Sequence, residues 1–287
     1  MRVTALQRSM GAETKSSSIV IRDVEGATEM RELEQLQKEV WGIPDLDVVP
    51  LSHLVAAKEA GGVLVGAFDG PTMIGFIYGF SSYEAGQAAH HSHMLAIKPA
   101  YRNLNLGYQL KLAQRDRVRS QGANFITWTF DPLQSLNAYF NFRKLGVVAD
   151  RYLIDFYGDD AASFLHRHGT DRLWVTWPLT NKTADLNAEV PQVLPLVKVG
   201  PDDSPTCNTL EEALSTNHAL IEIPADINNL QQRNKNLAFV WRDATRWAFT
   251  KAIEAGYLVI DFVRQRRGEQ QMGEYVLSRE RKLADYI

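Results

Sequence analysis

HSHMLAIKPAYRNLNLGY, residues His91 to Tyr108, reads as a strand that passes through a short loop directly into a helix. His91 to Ile97 is a mostly apolar run of strand length, and Pro99 removes a ladder donor, so the strand ends near Lys98. From Leu106 onward, apolar residues recur at Leu110, Ala113 and Val118, with Lys111, Arg115, Arg117 and Arg119 around them, a helical stripe that stops near Gly122. A helix start leaves about four N–H groups without intrahelical partners and carries the positive end of the macrodipole, so a phosphate binds there with little side-chain help. Arg102 adds a fixed positive charge beside that start.

Working outward, Ile19 to Val24 alternates as a first strand, and Met30, Leu33, Leu36, Val40 and Trp41 fall on one helical face. A second helix fits Leu51 to Ala60. Val63 to Phe68 and Met73 to Phe80 are apolar runs separated by Asp69-Gly70-Pro71, a hairpin signal. After the basic helix, Phe125 to Phe130 reads as a strand, Leu133 to Lys144 as a helix and Val147 to Tyr157 as a strand.

The six residues Arg102-Asn103-Leu104-Asn105-Leu106-Gly107 resemble the acyl-CoA motif of the GNAT superfamily of N-acyltransferases, in which Gln or Arg is followed by two residues, Gly, one residue, and Gly or Ala. Asn105 stands at the first glycine, and Asn is among the residues that best tolerate a left-handed backbone. The order of strand, two helices, three strands, helix, strand, helix, strand over residues 19 to 157 is similar to the order of that family. WTFDPL at Trp128 to Leu133 and TDRLWVTWPL at Thr170 to Leu179 resemble a bacterial branch with an added C-terminal region. The resemblance implies an α/β (α+β) fold, with a mixed, mostly antiparallel twisted sheet flanked by helices. It implies acetyl-CoA or another acyl-CoA as co-substrate, held by Leu95, Ile97, Arg102, Asn103, Leu104, Asn105, Leu106, Gly107 and Tyr108. The family's asparagine on the CoA arm has shifted, with Ser135 at the nominal place and Asn137 two residues on; Asn137 is the expected contact.

At 287 residues the chain is long enough for two domains, and 45% hydrophobic with 23% charged residues describes a globular protein with a real core. A net charge of −3 gives no reason to expect nucleic acid, and one cysteine excludes an internal disulfide framework. A reducing cytoplasm is the expected compartment. No apolar run nears the roughly 20 residues of a bilayer span, so no membrane partner is expected. The expected organisation is a disordered tail over 1–18, an acyl-CoA-binding catalytic domain over 19–179, a linker over 180–206 and a C-terminal extension over 207–287. In that extension Ala219 to Ile223 suits a strand, Asp226 a helix cap, Leu237 to Ala255 a helix, and Tyr257 to Val263 and Tyr275 to Leu277 two strands. This βαββ pattern resembles half a GNAT unit without the phosphate loop and is expected to extend or pack on the first sheet. A homodimer stays open.

N-acyl transfer needs a base, because an alkylamine with a pKa near 10 is only about one part in a thousand free at neutral pH. His91 and His93 lie two apart on a strand, hence on one face, and an imidazole near pKa 6.5 suits a neutral-pH base. Their place resembles that of the histidine pair in arylalkylamine N-acetyltransferases, which implies a proton relay through His91 and His93. Structural histidines and a metal site are the competing readings; without a clear third ligand, no metal is expected. An oxyanion donor is expected in the backbone N–H of Met94 or Leu95. The family's tyrosine acid falls at Phe142, which has no proton to give; Tyr139 is the candidate substitute, unless the thiolate leaves unassisted.

Asp131 before Pro132 reads as turn chemistry, with a contact to the acceptor ammonium as the alternative. Trp128, Phe130 and Phe140 suit core packing or the wall of an acceptor pocket. Arg264, Arg266 and Arg267 suit a hairpin tip, or a contact to the CoA 3′-phosphate across a dimer. Cys207 has no activating base beside it, so no acyl-cysteine step is expected. The function expected is direct transfer of an acyl group, with acetyl favoured, from CoA to the amine of a small molecule or amino acid. A protein N-acetyltransferase and an inactive acyl-CoA-binding sensor are the alternatives.

Overall fold

The computed structural model describes residues 19–158, 169–179 and 190–287. The expected tail over 1–18 and residues 180–189 of the expected linker lie outside these.

The N-terminal half begins with β1 (Ile19–Asp23), α1 (Gly26–Trp41) and α2 (Leu51–Glu59). A meander follows through β2 (Val63–Asp69), β3 (Thr72–Glu84) and β4 (Gln87–Ile97), closed by tight turns at Gly70 and at Ala85-Gly86. Next come α3 (Leu106–Ser120), β5 (Phe125–Phe130), α4 (Ser135–Tyr139), β6 (Val148–Leu153) and β7 (Arg172–Pro178). The helix expected over Leu133 to Lys144 is thus a short α-helix that continues into a π-helical turn over Phe140–Leu145. The strand expected to reach Tyr157 ends at Leu153, where the chain turns.

The C-terminal half holds β8 (Val197–Val199), β9 (Pro205–Cys207), α5 (Leu210–Ala213), β10 (His218–Pro224), α6 (Ile227–Arg233), α7 (Lys235–Glu254), β11 (Leu258–Arg267) and β12 (Gln270–Ser278). Asp226 caps α6 as expected, its side chain accepting the Asn229 N–H. The segment 180–206 is not linker throughout. Val197 and Val199 point inward around an exposed Lys198, an alternation that recruits β8 to the sheet.

All twelve described strands form one sheet, ordered β1-β2-β3-β4-β5-β7-β6-β11-β12-β10-β8-β9. The antiparallel contact of β6 with β11, at Ala149 and Val259, joins the halves. Outward from that junction the order is β7, β5, β4 on one side and β12, β10, β8 on the other. The outermost named pair is parallel on each side: β4 with β5, and β8 with β10. The C-terminal half therefore repeats the strand order of the N-terminal one about the junction. Leu110 and Val118 of α3, Phe142 of the π-turn and Trp241 and Phe249 of α7 share one continuous apolar core, while α1 and α2 cover the opposite face over Leu64, Phe68, Phe76 and Tyr78.

Candidate active site

β4 and β5 are paired at only two positions, His90 with Ile126 and His91 with Thr127. Beyond these the strands diverge, and backbone groups of β4 past His91 that face β5 have no ladder partner there. The gap opens toward the loop between β4 and α3. A cleft of about 660 Å³ lies at its mouth, lined by Leu95 and Ile97 of β4, Arg102 to Tyr108 of the loop and helix start with Leu104 excepted, and Asn137, Phe140 and Lys144 of the α4 side. Leu104 is 51% exposed and points elsewhere. Arg102, Asn103, Asn105, Leu106, Gly107, Tyr108, Leu95, Ile97 and Asn137 are thus gathered around one cavity. Ser135 is buried instead against the β11–β12 hairpin.

The loop geometry follows from its residues. Pro99 starts a single 3-10 turn to Tyr101, whose hydroxyl donates to Asp69 at 2.9 Å. Asn103 and Asn105 then take positive φ values of 70° and 59°, and Asn105 precedes α3 without a side-chain cap. Asn105 adopts the left-handed conformation that glycine supplies at this place in the motif. The first intrahelical bond of α3 runs from the Gln109 N–H to Asn105 O, so the amides of Leu106, Gly107 and Tyr108 are free for a ligand at the positive helix end. A Cβ on Gly107 would meet nothing of the protein nearer than Leu95 Cδ2 at 3.6 Å. The protein itself has room there; the missing side chain leaves that amide open to the cleft.

The histidines occupy the other face. The register slips between Tyr78 and Gly79, which pair with Met94 and Ser92, so His93 is the extra residue of a bulge. His91 and His93 point toward α2, while His90 and Ser92 point toward α3, where they meet Gln114 and Lys111. Gly79 makes room for this, since a Cβ there would lie 2.3 Å from His90 Nε2. His91 and His93 have ring centres 6.5 Å apart, with Phe80 against both at 5.3 and 5.8 Å. His91 Nδ1 is 3.1 Å from Thr127 Oγ1, and its ring lies 4.9 Å from Trp174. His93 meets the Tyr78 ring edge-on, and the Tyr78 hydroxyl is 2.8 Å from Nε2 of the exposed His53.

Burial, then the neighbouring His93, Lys111 and Arg151, pulls His91 down to about 4; burial and then His53 lower His93. Both rings are therefore neutral near pH 7 and able to accept a proton. Sequence reasoning missed Tyr78, Phe80, His53, Trp174 and Lys144. Phe80 is the cross-strand partner of His91, but only the register reveals this.

Other expected residues are placed elsewhere. Tyr139 lies under the Arg264 guanidinium, 4.5 Å from ring centre to Cζ, and does not line the cleft. Phe142 is fully buried against Phe130 and Tyr275. Trp128 and Phe130 belong to the core, whereas Phe140 does line the cleft. Asp131 accepts the Leu133 N–H at 3.0 Å, the turn chemistry expected, and also pairs with Arg242. Arg266 donates to Gly268 O at the hairpin tip, while Arg267 pairs with Glu222. Among the described residues no three His, Cys, Asp or Glu side chains are grouped to hold a metal, and no helix is long and apolar enough to cross a membrane.

The model of the acetyltransferase (GNAT) family matches residues 27–146, from α1 to the end of the π-turn. Three solved structures of similar fold illustrate the likeness. A GNAT-family protein from Desulfovibrio desulfuricans shares 15% identity at a TM-score of 0.47, over 57% of this chain and 100% of that one. An aminoglycoside 6'-N-acetyltransferase complexed with coenzyme A shares 17% at 0.45, over 57% and 98%. The ribosomal-protein-S18-alanine N-acetyltransferase from Escherichia coli shares 13% at 0.44, over 60% and 99%. Such distances speak to fold alone. Comparison with curated proteins gives no match.

Proposed function

The chain carries an acetyltransferase domain of the GNAT family over residues 27–146, and from that premise we propose that it transfers an acyl group, with acetyl favoured, directly from CoA to the amine of a small molecule or amino acid. The observation that carries this reading is the parting of β4 from β5 with free amides at its mouth and two neutral imidazoles at its vertex. The CoA diphosphate docks on the amides of Leu106, Gly107 and Tyr108, with Arg102 and Lys144 supplying charge. Asn137 and Phe140 flank the arm. The arm runs between the strands, and its thioester meets the amine on the histidine face.

His93 takes the amine proton. It stands at the bulge, and its lowered pKa keeps it unprotonated at pH 7; His91, held near 4, is the weaker base and orients through Thr127. Backbone N–H groups at the bulge, at Met94 or Leu95, stabilise the oxyanion, a contribution of about 3 to 4 kcal/mol. The aromatic walls Phe80 and Trp174 favour an amine with an apolar or aromatic body. A reducing cytoplasm suits the exposed thiol of Cys207.

Calorimetric titration with CoA and acetyl-CoA, followed by thiol-release assays over an amine panel, tests the reading. Binding with thiol release that is lost in His93→Ala supports it. Binding without release from any amine leaves only an acyl-CoA-binding protein.

A further inference from the structure

Lys111 stands where β4 and β5 part. The last ladder pair is His91 with Thr127, so Ser92 and Trp128 are the next residues on the two strands. Lys111 reaches from α3 to both: Nζ donates to Ser92 Oγ at 3.0 Å and sits 3.4 Å from the centre of the Trp128 ring. The residue is 4% exposed, on a helix face otherwise made of Leu106, Leu110, Gln114 and Val118. An apolar side chain would pack there without the cost of desolvating an ammonium.

The titratable group facing Lys111 from β4 is His90, with His91 behind it on the opposite face of the strand; burial holds both uncharged at neutral pH, at about 3 and about 4. β5 contributes Trp128, and α3 contributes Gln114, which bonds His90. No carboxylate among the described residues forms an ion pair with Lys111. Burial alone draws its ammonium well below the ordinary lysine value, which makes it a readier proton donor than an exposed lysine.

Resting on the acyl-CoA reading above, we propose that Lys111 is the proton donor to the departing CoA thiolate. An arm entering between the strands arrives at Ser92 and Trp128, with Lys111 on the α3 side and the imidazoles on the other. As the amine nitrogen bonds to the carbonyl carbon and the C–S bond breaks, the electron pair passes to sulfur, and Lys111 Nζ gives it a proton. His93 holds the proton lost by the nitrogen and releases it to solvent; Lys111 regains one from solvent once the thiol leaves. The other candidate acids are out of place, Phe142 having no proton and Tyr139 lying under Arg264.

The test titrates the ultraviolet absorbance of the thiolate of CoA bound to the full chain, in the wild type and in Lys111→Met and Lys111→Arg. An adjacent ammonium favours the thiolate, so the bound thiol titrates about one unit or more below free CoA in the wild type. In Lys111→Met it returns to the free value or above. Lys111→Arg keeps the charge and the shifted thiol, but kcat falls about 100-fold or more, because a guanidinium does not give up its proton.

A wild-type complex whose thiol titrates as in free CoA overturns the proposal, as does an unchanged titration in Lys111→Met. Loss of CoA binding in both variants also overturns it, leaving Lys111 as a wedge between the strands. A shifted thiol without turnover of any amine removes the acyl-transfer assignment and leaves the Lys111–sulfur contact standing.

Discussion

Arg242 of α7 donates to Asp131 at the end of β5 at 2.8 Å, with 3% and 10% of the two side chains exposed. One helical turn on, Arg246 holds Asp171, which is fully buried, and Asp155. The acidic residues of the WTFDPL and TDRL segments are thus tied to the C-terminal half. Removing one partner of a buried pair strands the other charge, at a cost of about 3 to 5 kcal/mol. Arg242→Met is expected to lose about that much in urea unfolding. Asp131→Asn, which keeps an acceptor for the Leu133 N–H, loses less. A fragment 1–179 lacks both arginines and is not expected to fold stably; a soluble, cooperatively unfolding fragment would count against this account.

The β4–loop–α3 corner was legible because Pro99, the two asparagines and the apolar stripe are local signals. What was missed depends on pairing between distant residues. Arg172–Pro178 is buried on both faces despite Arg172 and Thr176, and its place between β5 and β6 follows from six pairs with β5 that no local pattern encodes. Lys111 reads as the polar flank of a helix, yet it is buried because the face it shares with Gln114 meets Ser92 and His90 rather than solvent. The His91 and His93 pair was read from alternation, but the bulge that leaves His93 unpaired, and the rings of Tyr78 and Phe80 beside it, needed the register.

Gly107→Ala separates binding from folding. The added methyl meets only Leu95 Cδ2, and Ala is the better helix former by about 0.5 to 1 kcal/mol. Stability is expected to hold or rise while CoA affinity falls about tenfold, as the methyl stands over an amide open to the cleft. Asn105→Gly should cost little in either measure. Asn105→Val should destabilise by about 1 to 2 kcal/mol, because a branched side chain resists φ near 59°. Thermal melts and calorimetry read both.

Stability should fall with acid before most carboxylates titrate. An unfolded imidazole titrates near 6.5, whereas burial holds His90 at about 3 and His91 at about 4 in the fold. The unfolded state therefore binds more protons between these values. The contribution of each neutral ring is complete above 6.5 and is lost as pH falls toward the folded value, about 3 kcal/mol for His91. Urea unfolding at pH 7, 6 and 5 should show the decline, and His90→Gln should flatten it. The acid limb of kcat/KM, governed by His93, should lie below 6.5.

The repeat of strand order in the C-terminal half does not reproduce the open gap between its parallel strands; a cavity of about 560 Å³ lies elsewhere in that half, between Ala225 to Asn228, the β11–β12 hairpin and Gln134 to Leu136. Where β8 runs parallel to β10, Glu222 accepts the Val199 N–H at 2.7 Å, Arg267 donates to Val199 O at 3.1 Å and pairs with Glu222, and Gln270 donates to Gly200 O at 2.7 Å. The backbone groups left free on β4 are engaged here on β8. Calorimetry should give one CoA per chain, and two would refute the plug. Arg267→Met should not create a second site, but it removes a charge that restrains Glu274, whose carboxyl is raised by burial and then by Glu222. A carboxyl raised in the folded state contributes fully below its ordinary range, and that contribution is lost as pH rises from there through the raised folded value. The variant is therefore expected to lose more stability at pH 7 than at pH 5, and an equal loss at both would detach Glu274 from Arg267.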